Sequence, residues 1–420
     1  MAPEVQERIA QLRRGELPNG YKRGKLGIVP MEWDDVPFSS LFISTSDYTD
    51  DLETYPLYSL TIEDGITAKT ERYNRSHLVK KSESYKIVRP NDFAYNPMNI
   101  RLGAVARHKG SFPVAVSGYY DIFTTVAPGD LAFMDSFLTC APMITYYNKV
   151  STGSLLEKQR VHFSQFLEFS LPLPPLEERK KIGAILSAQD RVIELKKRLI
   201  SAKQQQKNHL MQQFLTGRQR LPGFSGAWEY KPLGAVTTNL EEKAGTGKYE
   251  VLSISANVGF VSQREKFGRE IAGKQYCNYT VLKKGDFSYN KGNSNRYPQG
   301  CIYLLEDWEN AVVPNVFISF RMHQICYPPY YKFLFESGYL NAQLFRLVNF
   351  GVRNDGLLNL NNGDFYSCVI PIPPYDEQLK IASVFQTATD ELGLLRKSLE
   401  QEKRKKKALS QLLLTGIVRV

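Results

Sequence analysis

Apolar residues follow one spacing in two long blocks of the chain and another in two shorter segments. Over residues 31–170 they come in short β-rich runs, such as Tyr85-Lys-Ile-Val88 and Val114-Ala-Val116, broken by Pro, Gly, Asn and Asp. Residues 222–369 behave alike, with Val251-Leu-Ser-Ile254 and Val312-Val313. Such runs between turn formers predict strands, and helical pieces are expected at 132–140 and 330–348. Residues 176–216 differ: proline is absent and Gly183 is the only interior glycine. There Ile185, Val192 and Leu199 recur every seven residues, with Ala188, Leu195 and Ala202 between them. A second segment repeats the spacing with Phe385, Leu392 and Leu399, and with Ala388 and Leu395. Seven-residue spacing predicts a long helix with one apolar stripe. Two helices of about forty residues would each span roughly 60 Å. The cheapest burial of both stripes is against each other, as an antiparallel pair. Ile185, Val192, Leu195, Leu199, Phe385, Leu392, Leu395 and Leu399 are the expected packing residues.

The two halves repeat. Leu171-Pro-Leu-Pro-Pro-Leu-Glu-Glu178 matches Ile370-Pro-Ile-Pro-Pro-Tyr-Asp-Glu377, with Pro172 and Pro371 199 residues apart. At the same distance Phe214-Leu-Thr-Gly217 meets Leu413-Leu-Thr-Gly416, and Phe166 meets Phe365. Trp33 and Pro37 match Trp228 and Pro232 at 195 residues. Asp92-Phe-Ala-Tyr-Asn96 matches Asp286-Phe-Ser-Tyr-Asn290 at 194, where Phe123 falls on Phe317. Ordered matches at nearly one spacing indicate a duplicated unit, a mixed block followed by a helix. Arg8-Ile-Ala-Gln-Leu-Arg-Arg-Gly15 reads as another helix end closed by glycine, which could pack beside the last helix.

The expected fold class is α+β: two mixed α/β blocks separated by two long antiparallel coiled-coil-like helices, with a pseudo-twofold internal repeat. The expected divisions are 1–20, an N-terminal helical segment near the C-terminal helix; 21–170, the first block; 171–221, the central helix; 222–369, the second block; and 370–420, the C-terminal helix. A bare helical hairpin would stabilise such a fold; a ruler that fixes the separation of the blocks is the functional alternative.

The net charge of +11 favours a polyanionic partner. The excess is concentrated: residues 176–220 carry +7, whereas 31–175 carry −4. The run Lys403-Arg-Lys-Lys-Lys407 reads as a solvated helix face, or as a contact with DNA phosphates or with a partner subunit. Within the first block Lys69, Arg72, Arg75, Arg101, Arg107 and Lys109 crowd together, interleaved with Asn99. In the second block Arg264, Lys266, Lys274, Lys291, Asn293, Asn295 and Arg296 occupy the corresponding stretch. Arg and Lys pair with guanine and Asn with adenine, while other cations hold phosphates. These are the candidate DNA-binding residues. Asn96-Pro97-Met98 shares only its first two residues with the Asn-Pro-Pro-aromatic motif of amino-methyltransferases, so a strand ending in a turn is the expected structure.

Catalytic signatures fail. Gly268-Arg-Glu-Ile-Ala-Gly-Lys274 has phosphate-loop spacing, but Gln275 stands where Ser or Thr should bind magnesium. The five histidines are isolated. Cys140, Cys277, Cys301, Cys326 and Cys368 are odd in number and scattered, which argues against a disulfide framework or a zinc site. No apolar run approaches the length of a membrane helix, so a cytoplasmic protein without catalytic residues or a bound metal is expected.

Gly27-Ile-Val-Pro-Met-Glu-Trp33 and the two proline-rich segments with their helices, to Thr216-Gly217 and Thr415-Gly416, resemble the specificity (S) subunits of type I restriction–modification systems, the HsdS family. The resemblance covers essentially the whole chain. It implies two target-recognition domains, each reading half of a bipartite site in double-stranded DNA, and helices that set the spacer. It also implies docking of two modification (methyltransferase) subunits and of restriction (translocase/endonuclease) subunits. No cofactor is expected on this chain; S-adenosylmethionine, ATP and Mg are expected on the partners. An orphan or anti-restriction DNA-binding scaffold is the alternative.

Overall fold

The computed structural model describes residues 3–69, 85–155, 159–255, 258–269, 271, 273–292, 297–348, 358 and 360–420. Contacts divide the chain into two units, residues 1–197 with 398–420, and residues 198–397.

The first unit opens with a helix at Pro3–Arg13 and a hairpin, Tyr21–Gly24 with Gly27–Pro30. Strand Asp34–Pro37 then pairs antiparallel with Ser170–Leu173, the strand that leads into the first long helix. The head between them holds two sheets. One is four-stranded and antiparallel, in the order Val105–Arg107, Phe93–Tyr95, Asp121–Thr125, Phe42–Thr45. The other joins Val114–Val116, Tyr85–Val88 and Tyr48–Thr49, and a bridge from Leu57 to Ala115 attaches the hairpin Tyr58–Thr61/Gly65–Ala68. Helices Leu131–Phe137, Ala141–Val150 and Phe163–Leu167 pack on the first sheet, where Phe93, Phe123, Phe137 and Phe166 are fully buried.

The second unit repeats this plan. Glu229–Pro232 pairs with Val369–Ile372 ahead of the second long helix. The four-stranded sheet runs Cys301–Leu304, Phe287–Asn290, Ile318–Met322, Thr237–Asn239, again antiparallel throughout. In the other sheet, Glu250–Ser255 and Gly259–Ser262 form the hairpin, and Glu250–Ser255 pairs parallel with Asn310–Val313; that strand pairs antiparallel with Thr280–Lys283, and a bridge from Thr280 to Lys243 completes the edge. Gly65 and Gly259, 194 residues apart, both turn their hairpins at positive φ (69° and 94°). One expected match shifts: Phe123 pairs across the sheet with Phe93, and Phe320, not Phe317, pairs with Phe287. The matching distance is therefore 197 there, because the chain between Asn290 and Ile318 is three residues longer than its counterpart. Phe317 instead packs against the other sheet's core.

Each long helix, Leu176–Phe214 and Tyr375–Leu413, starts in one unit and ends in the other. In the first unit Ile182 and Leu186 share a core with Leu413 and Leu414; in the second, Ile381 and Phe385 share one with Met211 and Leu215. The start of one helix thus meets the end of the other, which makes the pair antiparallel. Along the second helix the inward stripe runs through Gln378, Ile381, Phe385, Leu392, Leu395 and Leu399, with Phe385 and Leu392 buried and Leu395 and Leu399 half-buried.

On the first helix the expected stripe is corrected by one residue. Ile185, Val192, Leu195 and Leu199 are 37–54% exposed, and the inward stripe is Ile182, Leu186, Gln189, Ile193, Lys196, Ile200, Lys203 and Lys207. Half of that stripe is polar, and its polar members bond across the seam. Gln189 donates to Glu402 at 2.8 Å, and Lys196 to Ser398 and Glu402 at 2.6 and 3.0 Å. In the second unit Lys203 pairs with Glu391 at 2.8 Å and Lys207 donates to Thr389 at 2.6 Å.

Candidate nucleic-acid interface

A repeated strand-and-turn organises each head. In the first, Asp92 is buried and accepts from the Arg89 amide at 3.0 Å; in the second, Asp286 accepts from the Lys283 amide at 2.7 Å and from the Arg321 guanidinium at 2.6 and 2.9 Å. Burial pushes the Asp92 carboxyl above its ordinary value. Both carboxylates close the turn that starts the strand. At the far end, Asn96 accepts from the Met98 amide and Asn290 from the Gly292 amide, at 3.1 and 2.8 Å. Both asparagine side chains therefore act as local turn caps, the structure expected for Asn96-Pro97-Met98. The chain that leaves each turn carries several candidate DNA-binding residues.

Those candidates divide by how strongly the fold already holds them. Arg107 donates to Asn91 at 3.0 Å and approaches Asp135 at 3.5 Å, and Lys109 pairs with the same Asp135 at 2.8 Å. Arg101 donates to Gln159 at 2.9 Å. Asn99 is exposed just before the turn Ile100–Leu102. Lys69 is exposed at the end of the Gly65–Ala68 strand, and no ion pair holds its ammonium among the described residues. In the second head Arg264 and Lys266 lie on helix Gln263–Phe267, where the Lys266 ammonium sits 5.2 Å from the Phe267 ring centre. Lys274 is exposed in the turn Gly273–Asn278, and Lys291 is half-buried, 3.5 Å from the Leu360 carbonyl. Arg72, Arg75, Asn293, Asn295 and Arg296 lie outside the described residues.

Aromatic residues absent from the candidate set surround some of these cations. In the first head Tyr48, Phe112 and Tyr119 are exposed, and Tyr58, Tyr85 and Tyr120 are half-buried. Lys69, Tyr58, Tyr85 and Tyr120 line one pocket of about 120 Å³ with Leu57, Ser59 and Ser117. Lys86 donates to the Tyr120 carbonyl at 2.7 Å and lies 5.7 Å from the Tyr48 ring centre. The concentration of tyrosine between 48 and 120 was the available signal, because base and sugar contacts draw on aromatic faces as well as on cations.

A second feature missed at the sequence level holds each head to its helices. In the second unit Glu377 is fully buried; it accepts from Arg220 at 2.7 and 2.6 Å and from the Trp228 indole N–H at 2.9 Å. In the first unit Glu178 accepts from Arg419 at 2.6 and 2.9 Å and from Trp33 at 3.4 Å. Arg220 and Arg419 are 199 residues apart, the same spacing as Glu178 and Glu377. The glycines that end the helices, Gly217 and Gly416, have φ near +70°, and a Cβ would approach the Trp228 or Trp33 ring to 3.0 Å. The non-repeated residue next to the glutamate also diverges. Arg179 makes a buried ion pair with Asp130 at 2.7 Å, whereas Gln378 bonds to the backbone of Tyr327, Ile325 and Pro373.

Other chemistry is sparse. Among the described residues no group of His, Cys, Asp and Glu is arranged to hold a metal ion, and no helix is long and apolar enough to cross a membrane. Burial pushes the Cys301 and Cys368 thiols up to about 11, so both stay protonated and weakly nucleophilic near neutral pH.

A family model for the type I restriction modification DNA specificity domain matches residues 135–203. A protein of Methanocaldococcus jannaschii named as the MjaX specificity subunit of a type I restriction enzyme is 25% identical over 292 residues, 63% of each chain. The present chain thus spans under two thirds of that relative's length. Among solved structures, the S subunit of the type I restriction–modification system of M. genitalium aligns over 95% of this chain and 97% of its own, with a TM-score of 0.52 and 15% identity. A chain from a structure concerned with complex assembly and conformational transition of the type I restriction–modification system aligns over 93% and 99%, with a TM-score of 0.52 and 14% identity. At these identities the structural likeness concerns the fold. Family model, relative and fold agree with the duplicated heads and paired helices: residues 135–203 match the type I restriction modification DNA specificity domain, and the chain as a whole is similar to type I restriction–modification specificity subunits.

Proposed function

We propose that this chain is the DNA sequence-specificity subunit of a type I restriction–modification enzyme. The observation that carries the reading is a duplicated head with one topology and two different surfaces, joined to a pair of antiparallel helices. Each head, residues 21–170 and 222–369, acts as a target-recognition domain for one half of a bipartite site. Phosphate contacts supply affinity and base contacts supply sequence. The helical segments 171–221 and 370–420 set the spacer between the half-sites, a geometric quantity in DNA recognition. They also dock two modification subunits and the restriction subunits. Methyl transfer, with S-adenosylmethionine, and cleavage, with ATP and Mg, belong to those partners; this chain contributes recognition.

Sequencing the methylated bases of a host carrying the system is the direct test. It should return a gapped, adenine-methylated motif that disappears when this chain is deleted. A continuous motif, or no change on deletion, would overturn the proposal.

A further inference from the structure

The heads share a topology, so places where they differ in surface chemistry are where their DNA contacts can differ. Residues 57–96 and 251–290 correspond at 194 residues, the spacing that relates Gly65 to Gly259 and Asp92 to Asp286. At that spacing Lys69 corresponds to Gln263 and Tyr85 to Tyr279. In the second head both are buried: Gln263 is 4% exposed and accepts from the Ile271 amide at 3.0 Å, and Tyr279 is 7% exposed beside Tyr276. In the first head the matching residues are less buried. Lys69 is exposed and, together with Tyr58, Tyr85 and Tyr120, lines the pocket of about 120 Å³.

We propose that this pocket of the first head seats a DNA backbone phosphate, with Lys69 as its cation and the tyrosine and serine hydroxyls around it as neutral hydrogen-bonding groups. The inference rests on the DNA-reading function proposed above. Lys, Ser and Tyr are among the side chains that hold phosphate oxygens and so fix register on the duplex. The volume is well above the roughly 10–15 Å³ that a single water needs, so the pocket can admit a phosphate group. The hydrogen bond from the Lys69 amide to the Leu57 carbonyl, at 3.2 Å, fixes the backbone from which the ammonium extends. Lys86 beneath is already engaged with the Tyr120 carbonyl and, at 3.7 Å, with Asp121. That leaves Lys69 as the pocket's available positive charge among the described residues.

The test measures binding of the full chain, with its modification subunits, to duplexes that carry the methylome-defined site or a scrambled one, across a salt series. Lys69→Met should reduce the slope of log affinity against log salt by about one, since one phosphate contact contributes about 0.9. The deficit relative to wild type should therefore be about threefold larger near 50 mM than near 200 mM salt. It should be equal on both duplexes, and Lys69→Arg should restore the slope. Thermal stability should not change, because Lys69 is exposed. An unchanged slope in Lys69→Met, with normal wild-type binding, would refute the pocket but leave the DNA-reading function standing. A deficit confined to the specific duplex would make Lys69 a base reader and overturn the phosphate assignment. If inorganic phosphate binds the pocket and Lys69→Met abolishes that binding without changing the DNA slope, the site takes a free anion instead. Failure of the wild type to bind either duplex would overturn the DNA-reading function and this inference together.

Discussion

Glu377 shows how much one residue can hold in place. It has no exposed surface, and its two oxygens receive three hydrogen bonds, from Arg220 and Trp228. A buried carboxylate is tolerable only with its partners present, and removing one partner of a buried pair typically costs 3–5 kcal/mol. Arg220→Ala should therefore destabilise the protein by about that much, read as a lower urea midpoint. Glu377→Gln should cost less alone, and Arg220→Ala/Glu377→Gln should recover part of the loss, because a neutral amide needs no cation. A double variant as unstable as the sum of the singles would show that the two residues act independently. Arg179 and Gln378 make the complementary point. Copies of one position have found different satisfied solutions, an ion pair with Asp130 and an amide bonded to backbone. Burial raises the Asp130 carboxyl even beside Arg179, whereas the amide avoids any charge in the interior.

At the scale of elements, the two long helices were legible in length, order and pairing, but only one in its facing stripe. Phe385, Leu392, Leu395 and Leu399 are apolar at the seam, so periodicity found them. The copy 199 residues earlier reads Leu186, Ile193, Lys196 and Ile200, and the seam continues through Lys203 and Lys207. Polar residues there hydrogen-bond across to the partner helix, so a search for apolar heptads settled one position away, on Ile185, Val192 and Leu199. Transferring the second stripe by the repeat distance would have corrected it. The strands of the heads were readable for a similar reason, as both faces of several are buried; the displaced Phe320 shows that a three-residue difference in one loop defeats a fixed spacing. Candidate contacts were less legible, because a cation looks the same in sequence whether Asp135 neutralises it, as with Lys109, or no ion pair among the described residues does, as with Lys69. The corrected stripe has a direct consequence. Leu186→Ala and Phe385→Ala remove fully buried side chains and should cost about 2–5 kcal/mol each. Val192→Lys and Leu195→Lys, on exposed positions, should change stability by about 0.5 kcal/mol or less. Denaturation of the four variants checks this; comparable losses at Val192 or Leu195 would restore the original stripe.

Across the whole chain, duplication has a topological effect: one unit is completed by a segment distant in sequence, whereas the other is a single continuous stretch. The first head and the start of the first long helix share their unit with residues 398–420. Leu413 and Leu414 enter that core, the Tyr21 hydroxyl donates to the Gly416 carbonyl at 2.7 Å, Arg8 donates to the Ile417 carbonyl, and Arg419 closes on Glu178 and Glu32. In the second unit the matching residues, Phe214, Leu215 and Arg220, come from the middle of the chain and precede the strand Glu229–Pro232 that leads into the head. The same interaction is therefore supplied by a segment distant in sequence in one unit and by continuous chain in the other. Removing residues 417–420 should strip Arg419 from the buried Glu178 and weaken the first unit while leaving the second intact. Amide hydrogen exchange should show faster exchange at 21–37 and 170–186, with unchanged protection at 229–236 and 369–385. Arg220→Ala should produce the opposite pattern, because its loss falls on Glu377. Equal loss of protection in both units after the truncation would mean that they unfold as one cooperative body, and no loss in either would mean that Arg419 contributes nothing to closing the first.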